Sequence, residues 1–126
     1  MEGYFDKAKR HFKAALLLYA NGYNNDALSR LYYSFRSLAI VIVGIPVKGK
    51  WRHQGLVKKF VMEVDRRGIF ELTREERHLI KRFPDEREKA DYDPVKVPKE
   101  KVERYIQLVE RLIREVEEYA ERDYKD

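Results

Sequence analysis

Apolar residues recur at intervals of three and four along most of the chain, the spacing that places them on one face of an α-helix. The first such face comprises Tyr4, Ala8, Phe12, Ala15, Leu16 and Tyr19. Asn21-Gly22 follows, and both residue types tolerate the left-handed conformation that closes a helix. We therefore predict a first amphipathic helix that ends there, with Asn24, Asn25 or Asp26 as the cap of the next helix.

The second segment, from Ala27 to Val43, is apolar on nearly every side. A helix of this kind is surrounded, either at the centre of a bundle or against another subunit. Gly44-Ile45-Pro46 ends it, since proline cannot continue a helix and glycine favours a turn. We predict that residues 48–53 form a loop that leads into a third helix.

The third helix is predicted from the apolar spacing between Leu56 and Val64, and it ends at Arg66-Arg67-Gly68. Thr73 and Glu76 have the spacing of a capping box, which predicts the start of a fourth helix. Pro84 lacks an amide hydrogen, so we expect a kink or a restart with Pro84 in the first turn. The sequence Asp91-Tyr92-Asp93-Pro94 is typical of a turn.

The fifth helix is predicted from Pro98 onward, because apolar residues keep helical spacing from Val102 to Tyr119. Five helices without a strand indicate an all-α fold, a five-helix up-and-down bundle. Short connections between the first helices imply antiparallel neighbours. The chain length of 126 residues fits one domain, which we expect to span residues 1–126.

The composition places the chain among folded proteins, with 44% hydrophobic and 39% charged residues. It has no cysteine, no secretory signal pattern and no apolar run long enough to span a bilayer, so we expect a cytoplasmic protein without membrane contact. Abundant Glu, Lys and Arg favour a heat-adapted source. A net charge of +5 permits contact with phosphates without requiring it.

Several kinds of chemistry lack their motifs. The three histidines lie on separate segments without a His-Glu-x-x-His pattern, so no metal site is expected. The glycine-rich phosphate loops and the Gly-x-Ser-x-Gly nucleophile motif do not occur, which argues against stand-alone nucleotide hydrolysis. No cofactor is predicted.

Basic residues accumulate at two other places. Arg30 and Arg36 interrupt the apolar second helix, and a basic loop surrounds Trp51 with Lys48, Lys50, Arg52 and His53. The loop has the groups to hold a phosphate and stack a base. It is also consistent with an ordinary exposed loop whose tryptophan is tucked into the bundle, which is the commoner outcome for a run of charges.

Arg87 follows Phe83 by four positions and precedes Ala90 by three, so helical geometry directs it toward the apolar face. Asp91 lies four positions further on. The two residues form either a structural ion pair or a site at which the guanidinium grips a phosphate or a partner's carboxylate. Tyr92 is either a packing residue or a ligand contact next to Arg87.

Three stretches, in order, resemble the HEPN family, and specifically its small stand-alone prokaryotic members. They are Asp26-Ala27-Leu28-Ser29-Arg30-Leu31-Tyr32-Tyr33-Ser34, then His53-Gln54-Gly55-Leu56, then Arg87-Glu88-Lys89-Ala90-Asp91-Tyr92. The resemblance covers nearly the whole chain. It implies a five-helix bundle, a homodimer, and a minimal nucleotidyltransferase as the partner in a toxin–antitoxin-type pair.

Ribonuclease members of that superfamily use an Arg followed four to six residues later by a His, paired across a dimer without a metal. Here Ala90-Asp91-Tyr92 occupies the place of the histidine, so an enzymatic role is left open. The resemblance favours a module that binds a nucleotide or RNA. The residues expected to bind are Arg87, Tyr92, His53, Lys50, Arg52, Arg36 and Arg30.

Two alternatives stand beside the binding module. The first is a metal-independent endoribonuclease toxin that acts at a dimer cleft, with Arg87, Asp91 and His53 as candidate catalytic residues. The second is a non-catalytic structural or interaction bundle, because a fold alone does not fix a function.

Overall fold

Five helices account for nearly all of the secondary structure in a computed structural model that describes residues 2–46 and 48–125, the side chains of residues 2 and 123–125 excepted. They are α1 (Glu2–Ala20), α2 (Asn24–Val43), α3 (His53–Arg67), α4 (Arg74–Tyr92) and α5 (Lys99–Lys125). The described ranges contain no β-strand. The predicted all-α, five-helix bundle is confirmed.

Helix α2 lies at the centre of the bundle, one of the two surroundings that its apolar character predicts, and it packs against each of the other four helices. Its contact with α1 is close: the buried Ser34 hydroxyl donates a hydrogen bond of 2.6 Å to the Ala8 carbonyl. Each helix also packs on the next along the chain, as expected for short connections. None of the helices in the described ranges has the length and apolar character needed to cross a membrane.

Several helix ends follow from local sequence. Thr73 and Glu76 form the predicted capping box, each side chain accepting a hydrogen bond from the other's backbone amide. Gly68 ends α3 in the left-handed conformation with φ of 60°. Gly22, with φ of 83°, follows α1 as predicted.

The predicted cap of α2 is wrong. Tyr23 occupies the N-cap position, without a side-chain cap hydrogen bond. Asn25 instead binds the α4–α5 connection: its amide nitrogen donates to the carbonyls of Ala90 and Val95, both at 3.1 Å, and its oxygen accepts from the Val97 amide at 2.8 Å. Asn24 donates to the Val97 carbonyl at 3.0 Å. The side chains of Asn24 and Asn25 therefore form tertiary hydrogen bonds instead of capping α2.

Two predictions for the fourth helix also need correction. A restart at Pro84 does not occur, because α4 continues through Pro84 to Tyr92. Phe83 and Pro84 are both buried, and their packing offsets the backbone hydrogen bond that proline cannot make. The predicted turn at residues 91–94 begins later, since Asp91 and Tyr92 belong to the last turn of the helix and Asp93 caps it.

Aromatic rings from four helices meet in the core. Phe83 of α4 lies 4.2 Å from Tyr105 of α5 and 5.4 Å from Tyr32 of α2, measured between ring centroids. Phe35 lies 5.3 Å from Phe60 of α3. Rings at these separations stabilise one another beyond their buried area. This cluster fixes the position of Tyr32, around which the candidate site is built.

Candidate functional site

Tyr32 is fully buried in the middle of α2 and forms the centre of the site. Its hydroxyl is hydrogen-bonded to Nδ1 of His53, the first residue of α3. The two rings meet edge to face, with centroids 5.1 Å apart. Burial raises the pKa of Tyr32 to about 12 against the opposing charges of Arg36 and Arg87, so the hydroxyl keeps its proton at neutral pH.

The hydrogen bond to Tyr32 sets the form of the His53 imidazole. Partial burial lowers the pKa of His53, and Arg87 and Arg36 lower it further, whereas Glu88 acts in the opposite direction. The ring is therefore mainly neutral at pH 7. The Tyr32 hydroxyl has no other acceptor among the described side chains. This favours donation from the hydroxyl to Nδ1, with the hydrogen of the neutral ring on Nε2.

Arg87 projects from α4 toward Tyr32, as its position in the sequence predicts. Its side chain is 12% exposed, and its guanidinium carbon lies 5.6 Å from the centroid of the Tyr32 ring. Nη1 donates to Oδ2 of Asp91 at 3.0 Å, so the ion pair that was one of the two alternatives for these residues forms. The Nε hydrogen of Arg87 is buried and has no hydrogen-bond partner in the described part of the chain.

Arg36 supplies the second guanidinium, one helical turn after Tyr32. Its Nη2 donates to the Trp51 carbonyl at 3.3 Å, while its Nη1 is buried without a partner among residues 2–46 and 48–125. A buried donor without a partner costs about 1–3 kcal/mol. Both of these donors, in Arg36 and Arg87, lie on guanidinium groups near the same tyrosine, and a buried polar group without a partner calls for an explanation.

We call the cluster of Arg36, His53 and Arg87 around Tyr32 the pocket, and its charge is unbalanced. Arg36 and Arg87 carry two positive charges, and Asp91 is the one carboxylate paired with either of them in the described structure. The side chain of Asp91 is 27% exposed, so solvent screens it more than it screens Arg87. The two guanidinium groups and Asp91 together carry a net positive charge, which the nearby Glu88 partly offsets at His53. The pocket also offers two unused N–H donors and the Nε2–H of His53. These groups suit an anion with several oxygen acceptors, such as a phosphate.

The loop before α3 resolves one alternative that the sequence left open. Trp51 is half-buried, packs against the core, and donates from Nε1 to the Gly44 carbonyl at 2.8 Å. It is thus tucked into the bundle and is not offered to a base. Lys50 and Arg52 are exposed, and their expected role in binding stays a prediction.

Arg30 and Tyr92 lie outside the pocket. Arg30 lies on α2 beside α1, and its Nη1 is 3.3 Å from Nδ1 of His11. Tyr92 is 77% exposed and borders a shallow surface depression with Asp85, Glu88, Lys89 and Asp93. The structure therefore brings together three of the seven expected binding residues, Arg36, His53 and Arg87, and leaves Tyr92 on another side of α4.

The sequence reasoning did not single out Tyr32, although it is the residue that joins the other three. One signal was available: Tyr32 precedes Arg36 by four positions, which places both on one face of α2. No cluster of three or more His, Asp or Glu side chains suited to a metal ion occurs among the residues described.

Residues 1–119 match the family model described as the HEPN domain. A search of curated proteins finds no match.

Proposed function

The chain belongs to the HEPN family, and from that premise we propose that it is the nucleotide- or RNA-binding partner of a minimal nucleotidyltransferase in a toxin–antitoxin-type pair. In this proposal residues 1–126 act as one domain, which forms a homodimer and works in the cytoplasm. Arg36, His53 and Arg87 contact the phosphate.

The main support for the binding site comes from two buried arginine donors. Nη1 of Arg36 and Nε of Arg87 are buried donors that have no partner among the described residues. A phosphate has enough oxygen acceptors to take both hydrogen bonds and to compensate the second positive charge. Such hydrogen bonds join two charged groups, so each contributes about 1.5–3 kcal/mol.

The experiment that tests the binding site is calorimetric titration of the protein with a nucleoside monophosphate at fixed ionic strength. Arg87→Gln and Arg36→Gln are each expected to weaken binding about tenfold or more, because each removes a charged donor. Arg104→Gln is the matched control, since Arg104 is exposed on α5 and should leave the affinity unchanged. Equal affinities for the wild type and Arg87→Gln would contradict the site.

The partner is tested separately. A nucleotidyltransferase encoded beside this chain is expected to co-purify with it when the two are co-expressed. If the two proteins elute apart at micromolar concentration, the proposed pair is wrong, whatever the result of the nucleotide titration. Nucleotide binding without a partner would leave the pocket intact as a site.

A second candidate function is metal-independent RNA cleavage, because His53 and Arg87 flank the same tyrosine ring. His53 or Asp91 would take the proton of the attacking 2′-hydroxyl, and Arg87 would stabilise the charge on the phosphate. The Tyr32 hydroxyl, however, occupies Nδ1 of His53. The imidazole then meets a ligand as a donor, which favours binding over proton abstraction.

Incubation of the purified protein with RNA in EDTA distinguishes these two functions. The binding proposal predicts intact RNA. Cleavage that persists in EDTA and disappears in Arg87→Ala would establish the ribonuclease instead. If the protein neither binds nucleotide nor cleaves RNA, a structural or interaction bundle is the function that remains.

A further inference from the structure

Four aromatic rings lie in sequence across α1, α2 and α3. They belong to His11, Tyr33, Tyr32 and His53, and successive ring centroids are 6.1, 5.5 and 5.1 Å apart. We call this row the aromatic strip. Tyr32 is buried, whereas the other three side chains are half-buried and present part of their surface to solvent. The strip therefore continues from the Arg36–Arg87 pocket to the surface between α1 and α2.

The end of the strip at His11 also lies close to a positively charged side chain. Nη1 of Arg30 lies 3.3 Å from Nδ1 of His11. No carboxylate whose side chain the structure describes is within salt-bridge distance of Arg30. Burial lowers the pKa of His11, and the charges that lower it further, on Arg30, Lys7 and Arg10, are all cationic. His11 thus lies in a positive potential.

A structural role alone does not require this arrangement. Helices α1 and α2 are already joined by the buried bond from Ser34 to the Ala8 carbonyl and by core residues such as Ala15 and Leu31. An exposed guanidinium adds little to the stability of such a contact. Half-buried rings with cations at both ends instead match the chemistry of single-stranded nucleic acid, in which flat bases alternate with phosphates.

We infer that His11, Tyr33 and Arg30 form a second subsite, so that the site takes a single-stranded polynucleotide of two or more nucleotides. One phosphate lies at Arg36 and Arg87, the next base stacks at Tyr33 and His11, and Arg30 meets the following phosphate. This inference rests on the proposed nucleotide binding at the Arg36–Arg87 pocket. It makes a lone nucleotide a partial ligand.

The test measures affinity against ligand length. Fluorescently labelled hexauridylate is bound to the full-length protein at fixed salt, because phosphate contacts depend on ionic strength. Unlabelled uridine monophosphate, hexauridylate and hexadeoxythymidylate then compete with it. The variants are His11→Gln and Arg30→Gln in the second subsite and Arg87→Gln in the pocket. Arg114→Gln, an exposed arginine of α5, is the matched control for loss of one charge.

Hexauridylate is expected to bind at least about fivefold more tightly than the monophosphate, the lower end of what one base stacked on an aromatic side chain contributes. Arg30→Gln and His11→Gln should remove most of that difference and leave monophosphate binding unchanged, whereas Arg114→Gln changes neither. Comparing hexadeoxythymidylate with hexauridylate shows whether the site distinguishes deoxyribose from ribose. Equal affinities mean that it accepts DNA and RNA alike, and weaker binding of hexadeoxythymidylate means that it prefers RNA.

Two outcomes would overturn the second subsite. One is equal affinity for the monophosphate and the hexamer. The other is an equal loss of hexamer binding in Arg30→Gln and Arg114→Gln, which would indicate diffuse electrostatic attraction. If instead the proposed phosphate binding at Arg36 and Arg87 is wrong, the affinity for the monophosphate will be the same in the wild type and in Arg87→Gln.

Discussion

The hydroxyl of Tyr32 and Nδ1 of His53 share a hydrogen bond that ties the middle of α2 to the first residue of α3. The tyrosine is buried and keeps its proton, because burial raises its pKa to about 12. The imidazole is held with Nε2–H directed away from Tyr32. A single hydroxyl therefore positions the histidine of the pocket and favours the tautomer in which Nε2 is a hydrogen-bond donor.

This relationship predicts the tautomer of His53. In the wild type, ¹⁵N NMR of the imidazole at neutral pH should show the Nε2–H form. Tyr32→Phe removes the donor to Nδ1 and should give a mixture of both tautomers, with a loss of about 1 kcal/mol in the free energy of unfolding. A wild-type Nδ1–H tautomer would mean that His53 donates to Tyr32 and that Nε2 is free to accept a proton.

Removal of the Asp91 carboxylate should strengthen nucleotide binding. Asp91 pairs with Nη1 of Arg87 and competes with a phosphate for the same guanidinium. Asp91→Asn is expected to increase affinity about fivefold. Asp93→Asn is the control, because it removes the same charge from the exposed residue that caps α4. If both variants raise the affinity equally, net charge alone is responsible; if Asp91→Asn weakens binding, the carboxylate belongs to the ligand site.

Stability should fall on mild acidification. The pKa values of His11 and His53 lie below the ordinary value of 6.5, so between these values the unfolded chain binds more protons than the folded chain. The free energy of unfolding therefore decreases as the pH drops through this window. Above the ordinary pKa of 6.5 both histidines are neutral in either state, and this loss of stability does not occur. The carboxylates Glu63 and Glu86 also have lowered pKa values, but they act below their ordinary value of 4.5.

Urea denaturation between about pH 8 and about pH 5.5 measures this dependence. His53→Gln and His11→Gln should each make the free energy of unfolding less dependent on pH. His78→Gln serves as the control because His78 is exposed on α4. A pH dependence that survives in the double variant His11→Gln/His53→Gln would assign the effect to other groups.

Asn25 should contribute to stability through the α4–α5 connection. Its side chain makes three hydrogen bonds to residues 90–97, and Asn25→Ala removes all three. The expected loss is about 2 kcal/mol in the free energy of unfolding. Asn21→Ala is the comparison, since Asn21 is exposed just after α1 and its side chain donates to the Leu17 carbonyl in the last turn of that helix. A loss in Asn25→Ala no larger than in Asn21→Ala would show that the connection is held by other contacts.

Periodicity and local motifs were sufficient to predict the five helices, the surrounded character of α2 and the inward direction of Arg87. Each of these depends on residues close in sequence, such as Thr73 with Glu76 or Phe83 with Arg87. The position of Arg87 on the apolar face follows from helical spacing, and the same spacing makes a pair with Asp91 possible without deciding it.

Long-range packing decided the rest. Pro84 stays within a helix because its buried side chain is held by the core, and Asn25 binds a segment about 70 residues away instead of capping α2. The role of Tyr32 depends on its contact with His53, 21 residues further along the chain, which no spacing rule predicts. The expectation of heat adaptation stays a prediction, and a thermal melt tests it.

The side-chain Nε–H signal of Arg87 tests the phosphate pocket most directly, because this buried donor has no partner among the described residues. Arginine ¹H–¹⁵N spectra are recorded during titration with a nucleoside monophosphate, and the signal is assigned by its loss in Arg87→Lys. The account predicts a saturable downfield shift as the Nε–H donates to a phosphate oxygen. A signal that stays unchanged while the ligand saturates the protein would contradict it.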